Sequence, residues 1–130
     1  MKLARQYYVA IGQPNRTRFI GRRGAFHGLT LGALGLTMRD VVRTPYEPLI
    51  AQDNVSFVST PNTYRDMKET ETVDEYVKRL ADELDDEFQR VGPGNVCAFM
   101  AETVTGSVSS ESLYASAIAN RNACFSQMAA

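Results

Sequence analysis

Apolar positions first recur at helical spacing in residues 1–10, MKLARQYYVA. There Leu3, Tyr7 and Ala10 or Ile11 share one face, while Lys2, Arg5 and Gln6 lie elsewhere. Gly12 and Pro14 end that helix. Residues 17–22 then read as a short strand centred on Phe19 and Ile20. Gly21, Gly24 and Gly28 supply the backbone freedom for a tight strand-to-helix connection. Residues 29–38, LTLGALGLTM, form a helix or helical turn, in which Gly32 and Gly35 each cost about 1 kcal/mol relative to alanine. Their three-residue spacing suits close approach to a neighbouring backbone. Residues 43–54 hold two prolines and read as an irregular connection. Residues 55–59, VSFVS, are the second strand, with Val55, Phe57 and Ser59 on one side and Ser56 and Val58 on the other.

The strongest helical signal begins at Thr72 and Glu75, which match a capping box. Val73, Tyr76, Val77, Leu80, Leu84, Phe88 and Val91 follow on one face, and Gly92 with Pro93 stops the helix. Its outer face is acidic and reads as solvated. Residues 95–101, NVCAFMA, are continuously apolar between breakers, as a strand buried on both faces requires. The run ends at Glu102, and a last helix is expected from Ser109 or Ser110 through Leu113, Ala117 and Ile118. The order α-β-α-β-α-β-α predicts an α/β fold: a small open parallel sheet of about three strands with helices on both faces.

Composition narrows this further. A chain of 130 residues fits one domain, and 44% apolar with 22% charged residues is ordinary for a globular protein. The net charge of −1 argues against a nucleic-acid partner. Arg16 with Arg18 and Arg22 with Arg23 read as solvated strand ends. No apolar run nears the roughly 20 residues of a membrane span, and MKLARQYYVAIG lacks the apolar core of a signal peptide. No membrane partner and a cytoplasmic location are therefore expected. Cys97 and Cys124, with a single histidine, suit neither a disulfide framework nor a structural zinc site. Cys97 reads as a buried thiol that packs as a small hydrophobe.

Chemistry concentrates at two strand ends. RFIGRRGAFHG delivers Phe26 and His27, the only histidine, at the mouth of a helix, and Glu102 directly follows a buried strand. In parallel sheets both ends open on the same edge, where ligands bind. His27 titrates near neutral pH and with Glu102 forms a candidate general acid–base pair. The alternative is a hydrogen-bonded structural histidine and a strand-end charge. No nucleophile elbow, P-loop or dinucleotide fingerprint is present.

KLARQYY, RTRFIGRRGAFHGLTLGAL and EFQRVGPGNVCAFMAETVTGS together resemble the middle of class III pyridoxal-phosphate-dependent aminotransferases, over about residues 2–108. The resemblance implies a single domain, residues 1–130, equivalent to a truncated piece of that family's large domain. It implies that Phe26, His27 and Gly28 lie beside the cofactor ring, with the aromatic stacked on it, and that Glu102 faces the active site. The family's phosphate-binding Gly-Ser loop precedes the helix matched by residues 2–8. Its pyridine-pairing Asp and Schiff-base Lys follow the matched region, and Lys2, Lys68 and Lys78 do not match that lysine. Thr103 stands where the family commonly has Pro.

The resulting expectation is that these residues bind no cofactor by themselves, pyridoxal phosphate entering only if the missing parts come from another chain. A repurposed, cofactor-independent protein is expected, binding a small organic substrate at the strand-end pocket. His27 and Glu102 would be its catalytic residues, and Phe26, Gly28, Arg23 and Tyr64 its substrate contacts, for a cyclisation, dehydration or isomerisation. The alternative is a non-catalytic partner subunit or remnant of a class III aminotransferase. The two open sheet edges and the family's dimeric habit both predict a homo-oligomer.

Overall fold

The capping box is formed. The Thr72 hydroxyl accepts the Glu75 N–H and the Glu75 carboxylate accepts the Thr72 N–H, starting a 19-residue helix at Val73–Val91 in the computed structural model, which describes residues 1–102. The last helix expected around Leu113, Ala117 and Ile118 lies outside the described residues. Within them the elements are α1 (Lys2–Ala10), β1 (Arg18–Arg22), α2 (Leu31–Leu36), α3 (Asp40–Arg43), β2 (Val55–Val58), α4 (Thr63–Asp66), α5 (Val73–Val91) and β3 (Val96–Phe99). Short 3-10 turns cover Thr44–Leu49, Gln52–Asn54 and Pro93–Asn95. The connection expected to be irregular thus follows a turn of α-helix and contains two of 3-10 helix.

The strands form one parallel sheet in the order β2-β1-β3, as the alternation of helices and strands predicts. Phe19 pairs with Val55 and Arg22 with Val58. On the other side Arg18 pairs with Val96 but Phe19 with Ala98, so β3 accommodates one extra residue at Cys97.

Alternation along the strands sends side chains to two cores. Ile20, Val58 and Val96 pack with Tyr76, Leu80, Leu84 and Phe88 of α5. Phe19 and Cys97 pack with Tyr8 of α1 and Leu36 of α2. Each fully buried Leu or Phe contributes roughly 1.5–3 kcal/mol relative to an exposed one. The sheet is therefore covered on both faces, and burial pushes the Cys97 thiol above its ordinary pKa.

Several sequence expectations are corrected. Helix α1 turns its Met1–Ala4–Tyr8 stripe inward and leaves Leu3 84% and Tyr7 58% exposed, with Ile11 also outside. Both stripes have helical spacing, and docking on β3 selects the one that fills the space beside Cys97. Helix α2 is six residues long, not ten. Gly32 meets nothing and Gly35 only the Ile50 side chain, so neither serves a close backbone approach; Gly21 is the tightly packed glycine, between Phe57 and Leu36. Val73 starts α5 exposed rather than buried.

The basic clusters are corrected most sharply. Arg16 and Arg22 are buried, as is Arg43. The Arg16 Nη1 donates to the carbonyls of Pro93 and Val96 and its guanidinium lies over the Tyr8 ring. The Arg43 Nη1 donates to the carbonyls of Leu34, Gly35 and Thr37, closing the C-terminal end of α2. Burial of these charges follows from carbonyls left open at the ends of other elements.

At the start of α5 the Arg79 guanidinium makes a two-pronged bond to Glu71 at 2.8 and 2.9 Å. That bond, with the Lys68 N–H, holds the Glu71 pKa down from 4.5 to about 2. A carboxylate depressed in the folded state stabilises it above the ordinary value and loses that contribution as pH falls toward the folded one. Stability is therefore expected to decline between about pH 4.5 and pH 2. Glu71→Gln should flatten that part of a denaturation-against-pH series, and added salt should shrink the difference.

Candidate functional site

Residues 23–30 leave the carboxyl end of β1 and turn back over the sheet edge into α2. Gly24 at φ +71° and Gly28 at φ +113° carry the turn through backbone conformations closed to most residues. The segment is tied to the chain that follows α2. The Gly24 N–H donates to the Met38 carbonyl at 3.0 Å, and the Met38 N–H to the Ala25 carbonyl at 3.2 Å.

Glu102 follows β3 on the same edge. Its Oε1 accepts the Phe26 N–H at 3.1 Å. The Arg22 Nη2 donates to the main-chain oxygen of Glu102 at 2.8 Å and lies 3.5 Å from Oε2. Arg22 is 2% exposed. The ends of the adjacent parallel strands β1 and β3 are thus joined by a buried guanidinium, and the same carboxylate holds the turn that carries Phe26 and His27. His27, Phe26 and Glu102 come together.

His27 borders a cavity of about 420 Å³, lined also by Met1, Lys2, Thr30, Leu36 and Met100. Burial pushes its pKa below 6.5, the nearby Glu102 carboxylate pulls against that, and the Arg22 guanidinium adds to it. The ring is held neutral at pH 7. Its Nε2 is buried with no hydrogen-bond partner among the described residues. Phe26 is 39% exposed.

Arg23 and Tyr64 lie elsewhere. The Arg23 side chain is exposed, 4.0 Å from Glu83, and lines a separate cleft of about 550 Å³ with Asn62, Tyr76 and Arg79. That cleft lies beside α5, and the Thr60 hydroxyl, donating to the Arg23 carbonyl, helps close it. Tyr64, on α4, is 94% exposed. Glu83, expected on a solvated face, accepts the Ser59 N–H and hydroxyl at 3.0 Å each.

Sequence reasoning missed Arg22 and Thr37. The Thr37 side chain, fully buried, contacts the backbone of residues 27 and 28 from across α2. No local pattern marks either residue, because both act on chain far from their own elements. Among the described residues no group of three His, Cys, Asp or Glu side chains could hold a metal ion, and no helix is long and apolar enough to cross a membrane.

Comparison with known proteins places this geometry. The family described as Aminotransferase class-III matches residues 1–117. An aminotransferase of Gibberella zeae is 48% identical over 108 residues, which make up 82% of this chain and 21% of that protein. Among solved structures, a transaminase with L-alanine superposes with a TM-score of 0.81 at 26% identity, over 95% of this chain and 29% of its own. An omega transaminase from Pseudomonas jessenii in complex with PMP reaches a TM-score of 0.82 at 23% identity, over 95% of this chain and 28% of its own, a likeness of fold. The chain thus spans about a fifth of the length of the curated relative and under a third of the solved structures.

Proposed function

This chain belongs to the class-III aminotransferases, and we propose that residues 26–28 form its ligand-facing wall, serving amino-group transfer completed by groups outside the 130 residues. The observation that carries the proposal is the buried Nε2 of His27, without a hydrogen-bond partner among the described residues, on a residue that lines a cavity and follows the exposed Phe26. Phe26 and His27 would hold the pyridoxal phosphate of this family. Lys2 lines the same cavity as His27 and would add a positive charge to it. When bound, that cofactor supplies the electron sink that transfer of an amino group requires.

The residues of this chain have separable tasks in that reading. Phe26 offers a flat apolar surface and orients a ring laid on it. His27, held neutral, accepts or donates a single hydrogen bond at Nε2 without adding charge. Glu102 is a positioning residue: one carboxylate oxygen holds the Phe26 N–H and the other faces Arg22. Lys2, Lys68 and Lys78 are the only lysines in the 130 residues.

The second reading is cofactor-independent acid–base chemistry on a small organic substrate. It is favoured by His27 alone, since a neutral imidazole with an unused nitrogen is a competent base. Of the Glu102 oxygens, Oε1 holds the Phe26 N–H, while Oε2, 3.5 Å from the Arg22 guanidinium, has no hydrogen-bond partner among the described residues, so one oxygen remains for a His27–Glu102 pair.

The two readings separate in a chimera. The matching segment of the Gibberella zeae aminotransferase is replaced by residues 1–108 of this chain. Amino-group transfer is expected to persist in the chimera, and Phe26→Ala should lower it at least about tenfold, the loss typical of a misplaced reacting group. A folded chimera without transfer, or one indifferent to Phe26→Ala, would refute the aminotransferase reading.

A further inference from the structure

The turn carrying Phe26 and His27 has no regular secondary structure, yet its backbone is held from two directions. From the sheet side, Glu102 accepts the Phe26 N–H. From the helix side, the Thr37 Oγ1 accepts the His27 N–H at 2.9 Å. The same oxygen lies 3.1 Å from the Gly28 carbonyl and 3.2 Å from the Ala33 carbonyl, between which its single proton is shared. Thr37 has no exposed surface, and its own N–H bonds back to Ala33 and Leu34 at the end of α2. Arg43 in turn holds the Thr37 carbonyl at 3.1 Å. The hydroxyl is therefore fixed before it meets the turn.

We propose that Thr37 is the positioning residue that sets the orientation of His27, by bonding the main chain on both sides of that side chain's peptide plane. The hydroxyl satisfies an N–H at residue 27 and a C=O at residue 28 with one atom. That demands a group able to accept and donate at once, which an aliphatic side chain of the same shape cannot do. With it in place the His27 ring stays at the cavity wall, facing Glu102, Arg22 and Lys2 as the charged groups around it. Without it, the His27 N–H loses its partner, the turn swings outward and the ring becomes hydrated. The assignment rests on the proposal that His27 faces the ligand, but the clamp itself can be tested without any ligand.

His27 is the only histidine, so its ring resonances are unambiguous in the NMR spectrum of the full 130-residue chain. The expected result is a native His27 titration below 6.5, unchanged in Thr37→Ser, and moved up toward 6.5 in Thr37→Val with the far-ultraviolet circular dichroism retained. A folded Thr37→Val chain that titrates as the native one would overturn the assignment. If Thr37→Val fails to fold, exchange of the His27 amide decides. Slow exchange in the native and Thr37→Ser chains supports the clamp, and exchange at the rate of a free loop overturns it. A chimera that transfers no amino groups, alongside an intact Thr37 response, would remove the functional reading and leave the positioning role standing.

Discussion

Replacing Tyr76 by alanine is expected to cost about 4 kcal/mol of folding stability, within the range for deleting a fully buried aromatic side chain. Tyr76 has no exposed surface and sits in the core between α5 and the sheet. Its ring carries the Arg79 guanidinium at 4.9 Å and its hydroxyl accepts the Asn62 N–H at 2.9 Å. Asn62 in turn caps α4, accepting the Arg65 N–H. The alanine variant thus opens a cavity and releases the loop after β2. Tyr76→Phe separates the two effects: it keeps the packing and leaves the Asn62 N–H unmet, for about 1–2 kcal/mol. Urea unfolding of the three chains, compared at equal slope, measures both. A Tyr76→Ala loss below that of Tyr76→Phe would contradict the packing described.

Glu102→Ala is the second large effect, expected at about 3 kcal/mol, the lower end of the range for breaking a buried ion pair. Arg22 is almost wholly buried, while Glu102 keeps about a fifth of its side-chain surface and its main-chain oxygen still accepts from Arg22. Removing the carboxylate takes one counter-charge from a buried guanidinium and frees the Phe26 N–H. Glu102→Gln should fall between, because an amide oxygen can still take that N–H. The double variant Arg22→Met with Glu102→Ala should recover part of the loss, since both charges then leave together. A cycle with no coupling between residues 22 and 102 would show that the two strand ends are not joined in this way.

The elements most legible in the sequence were those whose cause is local. The Thr72–Glu75 capping box, the stop at Gly92 and Pro93, and the apolar run of β3 each act within a few residues. Their order was enough to predict a parallel sheet covered on both faces. The phase of α1 was not legible, because adjacent Tyr7 and Tyr8 offer two equivalent stripes and only the sheet chooses between them. Arg16 and Arg22 read as solvent-facing in the sequence, since the carbonyls they serve belong to chain 77–80 residues away. At the site, the glycine-flanked turn with Phe26 and His27 was visible beside a strand end. What Glu102 does there was not, because a carboxylate at a strand end looks the same whether it is a base or an anchor. Arg23 and Tyr64, expected among the substrate contacts, lie in another cleft and at the surface.

The most direct test of the ligand-facing turn adds pyridoxamine phosphate to the chimera, which supplies the groups outside the 130 residues, and follows the amide and ring resonances of the exchanged segment. The account predicts saturable shifts at Phe26, His27 and Lys2, with little change at Asn62 and Tyr76 in the neighbouring cleft, and loss of the response in Phe26→Ala. Shifts confined to the cleft of Arg23, Asn62 and Arg79, or a His27 ring indifferent to the ligand at saturation, would contradict it.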